Sequence, residues 1–200
     1  MEVPKNWVEF SLDLNAVAYP VDAKDSVVAL AELPKPTAGA GEPVLFASEY
    51  TLQIAYYTFG RDDAVALVTF SNPEAHYFGP PHVDAVDRHP LHSRGVDIYG
   101  AFEVHDSSWI RELRQISGSR VDGRHFILTF HDITFECIAR NFTVSMHRGH
   151  PAEVIRGATN RSNKSLERIA DRRENLLSMT SIHHSEAQLA PSRRRSCCSR

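Results

Sequence analysis

Residues 125–137 read HFILTFHDITFEC, and this stretch restricts the fold more than any other part of the chain. A turn at His131-Asp132 pairs Phe130 with Ile133, Leu128 with Phe135 and Phe126 with Cys137. All six side chains then fall on one apolar face. The opposite face pairs Thr129 with Thr134, Ile127 with Glu136 and His125 with Ile138. A slip of one residue would scramble this segregation, so the pattern specifies the register of a β-hairpin. Tight hairpin turns need positive φ, which Asp and His tolerate better than most side chains. His131 and Asp132 are therefore turn candidates, Cys137 is a small core residue, and Thr129→Ala is expected to cost far less than Leu128→Ala if the face bearing Thr129 is solvated. His125 lies at the far end of this hairpin from His131, so the two cannot share a ligand.

Flanking segments extend the same β-rich picture. VEFSLDLN (8–15) alternates as a half-buried strand does. The apolar run 26–33 fits a strand or a short helix, and the Pro- and Gly-rich 34–43 reads as a loop. YTLQIAYYTF and AVALVTF, joined through GRDD, read as a hairpin over 50–70. A further strand is predicted over 96–105, with Ile98, Gly100, Phe102 and Val104 on one face. DSSWIRELRQISG then reads as a helix. Asp106 or Ser107 caps it, Trp109, Ile110, Leu113 and Ile116 form its buried stripe, and Gly118 ends it. After the 125–137 hairpin, Arg140-Asn141 offers a turn into a third strand.

This order of elements predicts an α+β fold: a mainly antiparallel sheet with one or two packing helices and a disordered basic C-terminal tail. Residues 1–150 form the expected globular domain, 151–180 a charged helix appended to it, and 181–200 the tail. Charge supports the division. Residues 1–150 carry 12 Lys+Arg against 20 Asp+Glu, net −8, and 151–200 carry 10 against 5, net +5. No apolar run reaches the length of a membrane span, and the N-terminal segment lacks the apolar centre of a secretory signal. Three cysteines, Cys137, Cys197 and Cys198, do not make a disulfide framework, so a cytoplasmic location is expected.

Function is less legible. Residues 71–95 lack helical or strand periodicity and carry His76, Tyr77, Phe78, His82, His89 and His92. Long irregular segments are often binding loops, so these six are the candidate binding residues. The four histidines, with Asp84 and Asp87 nearby, are also the candidate ligands of a divalent transition metal. HExxH, HxH and CxxC spacings are absent, and no cofactor is expected. Pro90 excludes a helical chelate through His89 and His92. Asp132, Glu136, Glu103 and His105 would make an acid–base group only by converging, which no spacing requires. GxSxG elbows and phosphate-binding glycine loops are absent too. SRRRSCCSR is basic but has no interleaved aromatics, so nucleic acid is not an expected partner.

The segments HYFGPP, HPL, GAFEVHDSSWI and HFILTFHDITFEC resemble an uncharacterised group of bacterial proteins with FGPP, HPL, SSWI and FHDxxFE motifs. The resemblance spans about residues 50–145 and implies a soluble α+β protein without an assigned activity. The expectation is a binding or accessory module that engages an unknown protein partner through residues 71–95. A metal-assisted enzyme using the loop histidines and polyanion binding through the basic tail are the alternatives.

Overall fold

A computed structural model describes residues 21–38, 42–60, 64–118 and 120–161. The strand expected over 8–15, the remainder of the charged helix beyond residue 161 and the basic tail lie outside these residues. The chain divides into two compact units, 1–155 and 156–200. The first contains the sheet and enters a helix at residue 151, and the described part of the second, 156–161, is helical.

Seven antiparallel strands make up one sheet in an α+β fold: β1 (Ser26–Ala29), β2 (Val44–Ala47), β3 (Leu52–Tyr57), β4 (Ala64–Gly79), β5 (Ala101–His105), β6 (Arg124–Thr129) and β7 (Thr134–Arg148). Their spatial order is β1-β5-β6-β7-β4-β3-β2. A helix, α1 (Ser108–Ser117), follows β5. The β6–β7 register is the one the apolar pattern predicts: Phe126 opposes Cys137, Leu128 opposes Phe135 and Thr129 opposes Thr134. The Phe130 N–H closes the turn on the carbonyl of Ile133 at 2.9 Å.

One face of the sheet carries the larger core, in which Tyr56, Phe70, Phe126, Leu128, Phe130 and Phe135 are buried together. In the segment after β1, Leu33 enters this core and the Pro34 carbonyl accepts from the Tyr56 hydroxyl at 2.7 Å. Pro36 there bridges to Thr58 beyond β3.

The opposite face is not solvated. Ile127, Val104, Phe102, Leu91 and Val96 form a second apolar cluster, and Ile110 of α1 packs with Ile138 and Val121 in a third. The hairpin is thus buried on both sides, and the condition of a solvated face at Thr129 is not met. Alternation fixes which residues share a face, but only the long-range packing of α1 and residues 91–96 decides what covers it.

Three further expectations change. Residues 71–79 continue β4 instead of forming a loop. Their alternation was obscured by a bulge between Pro73 and Ala75 and by Asn72 at φ 48°. Pro73 is tolerable there because the pairing with β3 ends at Phe70 and a bulge removes the need for its missing N–H. β7 runs through Arg140-Asn141 without turning, paired along β4. Of the predicted helix stripe, Ile110 is buried and Trp109 and Leu113 are partly so, whereas Ile116 is 75% exposed. Gly118, at φ 62°, takes the left-handed conformation that ends α1.

Candidate functional site

The residues singled out in 71–95 do not gather. On β4, successive side chains point to opposite faces, so His76 is exposed while Tyr77 and Phe78 pack against different core clusters. The Tyr77 hydroxyl donates to the Pro80 carbonyl at 2.8 Å. His82 is exposed before a 3-10 turn, Val83–Arg88. His89 ends that turn in an extended conformation, as a residue before proline favours. His92 is exposed, and its ring shares a 3.0 Å hydrogen bond with the Val96 carbonyl. Among the described residues, no group of three His, Cys, Asp or Glu side chains is placed to hold a metal ion. His131 and Asp132 are exposed in the hairpin turn, and His131 Nδ1 lies 2.7 Å from the Tyr99 hydroxyl. Glu103 lies 3.8 Å from His105 and pairs with Phe126, whereas the buried Glu136 pairs with Ile127 on the other face of the sheet.

His89 instead turns inward to a polar chain that crosses the second face of the sheet. Its Nε2 lies 3.2 Å from Oε1 of Glu136, and its Nδ1 accepts from the Leu91 N–H at 3.1 Å. A neutral ring that accepts at Nδ1 carries its proton on Nε2 and donates it to the carboxylate. The other oxygen of Glu136 lies 2.8 Å from Nε2 of His125. His125 Nδ1 is 2.9 Å from the Ser107 hydroxyl, which also accepts from the Ile110 N–H at 3.3 Å and so caps α1. Trp109 packs edge-on against His125 at 5.1 Å between ring centroids.

Strand geometry explains this convergence. His125 and Glu136 sit on adjacent strands at diagonal positions of one face, within reach of long side chains. Both are fully buried. Burial alone would raise the Glu136 carboxyl, but hydrogen bonds from His125 and His89 outweigh it and hold the group at about 2.

Ser107 is where the chain reaches a cleft of about 450 Å³ lined by Glu103, His105, Asp106, Ser107, Ile110, Arg111, Arg114, Gly123 and Arg124. Its walls are the end of β5, the first turns of α1 and the start of β6. Arg124 grips Glu103 with two hydrogen bonds, one of 2.8 Å from Nε to Oε1. That pairing holds the Glu103 carboxyl below its ordinary range. Arg111 is tied to Asp22 and to the Asp106 carbonyl, and lies 3.5 Å from the buried Asp25. Asp25 accepts from both the N–H and the hydroxyl of Ser108 at 2.7 Å, bringing a carboxylate to the N-terminus of α1. Arg114 donates to the Val121 carbonyl at 3.0 Å.

The sequence reading included Glu136, His105 and Glu103 but passed over Ser107, His125, Arg111, Arg114 and Arg124 as site residues. The available signal was the strand–polar residue–helix junction HDSSW, where a capping serine must lie beside whatever the neighbouring strand presents. No family model matches this chain, and no curated protein or solved structure matches it. No helix among the described residues is long and apolar enough to cross a membrane.

Proposed function

We propose that this protein is a binding module for a small anionic ligand, with the cleft beside α1 as its site. The observation that carries the reading is the convergence of Arg111, Arg114, Arg124 and His105 on one concavity of about 450 Å³. That volume lies within the range of small-ligand clefts. A guanidinium has five N–H donors and a two-pronged carboxylate uses two of them, so Arg124 retains donor capacity beside Glu103. Glu103 fixes Arg124, Asp22 and the Asp106 carbonyl fix Arg111, and the Val121 carbonyl fixes Arg114, and a bound anion would share these arginines. This reading moves the binding role away from residues 71–95, where His89 is buried and Tyr77 and Phe78 are partly buried against the core clusters. A cytoplasmic location fits it, with Cys137 a buried free thiol of the core.

Thermal unfolding with inorganic phosphate, succinate and citrate, against equal ionic strength of chloride, tests the proposal. One of the three anions is expected to raise the Tm of the wild type in a saturable manner, and Arg114→Gln to reduce that rise. Equal stabilisation by chloride, or an unchanged response in Arg114→Gln, would overturn it.

A further inference from the structure

We propose that Ser107 is an acyl-transfer nucleophile, with His125 as its general base and Glu136 as the carboxylate that orients the base, acting on esters of small anionic carboxylic acids. The inference rests on the cleft being the ligand site and adds chemistry to it. A serine hydroxyl is a weak nucleophile until a base stands within hydrogen-bond reach and a third group orients that base. Here the hydroxyl lies 2.9 Å from Nδ1 of His125, and Nε2 of the same ring lies 2.8 Å from Glu136. Such an arrangement is recognised by geometry and roles, independent of the order of its residues along the chain. The imidazole faces serine with Nδ1 and carboxylate with Nε2, and either ring nitrogen can take up a proton while the other holds one.

Local structure favours the same assignment. Asp106, at φ 52°, turns the chain sharply between β5 and α1 and sets Ser107 at the helix N-terminus. The Ile110 N–H directed at the hydroxyl oxygen, with the helix dipole behind it, stabilises negative charge developing there. His89 binds the second oxygen of Glu136, so the orienting carboxylate is anchored at both ends. A serine that only caps a helix needs neither an imidazole on its hydroxyl nor a place in the lining of a cleft. Ser107 has both: it is 4% exposed at the lining of the cleft, and His125 and Glu136 behind it are fully buried.

The chemistry balances with water as the second substrate. As the Ser107 oxygen bonds to the acyl carbon, its proton passes to Nδ1 of His125. The carbon–oxygen bond to the leaving alcohol then breaks, and the alkoxide takes that proton. Water attacks the acyl-serine, giving one proton to Nδ1. The bond to Ser107 breaks, the acid leaves, and the serine oxygen recovers the proton. Arg114 and Arg124 provide the positive charge for a carboxylate elsewhere on the acyl group.

The test combines a fluorophosphonate probe, mass spectrometry of the labelled peptide, and hydrolysis of mono-4-nitrophenyl succinate against neutral 4-nitrophenyl acetate. Ser107→Ala removes both nucleophile and cap, whereas Ser107→Asn keeps a capping oxygen and so tests a folded chain. The expected result is an adduct on Ser107 and at least a hundredfold loss of hydrolysis in Ser107→Asn with its cooperative unfolding retained. The succinate ester should be preferred, and the preference reduced in Arg114→Gln. An unlabelled Ser107, together with hydrolysis unchanged in Ser107→Asn, overturns the nucleophile. If anions still raise the Tm in that case, the binding reading survives alone. An adduct on Ser107 with no preference for the anionic ester and no anion-dependent Tm upholds the nucleophile and overturns the anionic ligand.

Discussion

His125 and Glu136 stand on adjacent strands, eleven residues apart in sequence, and meet at 2.8 Å with neither side chain exposed to solvent. A carboxylate without solvent is costly unless hydrogen-bonded and charge-compensated, and here His125 and His89 supply the bonds. Removing one partner leaves the others buried and uncompensated. Glu136→Leu is therefore expected to destabilise the protein by about 3–5 kcal/mol. Denaturant midpoints with unchanged slopes would measure it. A cost below about 1 kcal/mol would mean that the two histidines find other partners.

The same carboxylate sets an acid limit. Its folded value, about 2, lies below the ordinary 4.5, so folding favours the ionised form. The resulting stability is fully present above the ordinary value, declines as pH falls from about 4.5, and is gone below about 2. Glu136→Gln should flatten this part of the stability–pH curve. Parallel acid limbs for wild type and variant would place the acid sensitivity elsewhere.

Leu128 and Thr129 are neighbours on β6 that face opposite cores, and substitutions at both are expected to be expensive for different reasons. Leu128→Ala opens a hole among Phe126, Phe130 and Phe135 and should cost about 2–5 kcal/mol. Thr129 buries a hydroxyl that donates to the Asp97 carbonyl at 2.7 Å and accepts from the Gly100 N–H at 2.8 Å. Thr129→Ala leaves both unmatched, at about 1–3 kcal/mol. Equilibrium unfolding in urea would read both. A neutral Thr129→Ala would mean that water replaces the hydroxyl.

Much of this architecture can be read from period and punctuation. The β6–β7 register follows from one alternating pattern, and α1 from a capping serine, an apolar spacing and Gly118. What cannot be read is what covers each surface. The polar residues His125, Thr129 and Glu136 look solvent-facing in the hairpin alone. Only contacts from His89, Ser107 and Asp97, distant in sequence, make that face an interior. The bulge at Pro73–Ala75 likewise hides the far half of β4, since an extra residue breaks the alternation by which strands are recognised. The site was missed for a related reason: a helix cap and a buried histidine are each ordinary, and their 2.9 Å contact exists only after folding.

Cys137 is fully buried, and burial together with the nearby Glu136 charge pushes its thiol well above the ordinary value. Thiolate is the reactive form, so this cysteine should resist modification while the protein is folded. In a Cys197→Ser/Cys198→Ser chain, Ellman's reagent is expected to find no fast thiol under native conditions and one after denaturation. Rapid native reaction would show that the core between β6 and β7 opens readily.

The sequence HPLH sets His89 and His92 close together, yet the fold gives them different surroundings. His89 reaches inward to Oε1 of Glu136 and accepts the Leu91 N–H, with its side chain fully buried. His92 remains exposed and bonds the Val96 carbonyl at 3.0 Å. His89→Ala removes a donor from a buried carboxylate and an acceptor from a buried N–H, so a loss of about 3–5 kcal/mol is expected. His92→Ala gives up one partly exposed hydrogen bond and should cost about 0.5–1.5 kcal/mol. The order matters more than the sizes, because a shared metal would make the two substitutions equivalent. Thermal unfolding of both variants, with and without a chelator, measures the difference. Equal losses that the chelator reproduces in the wild type would restore the histidine pair as metal ligands, while a large loss confined to His89 assigns it to the Glu136 network.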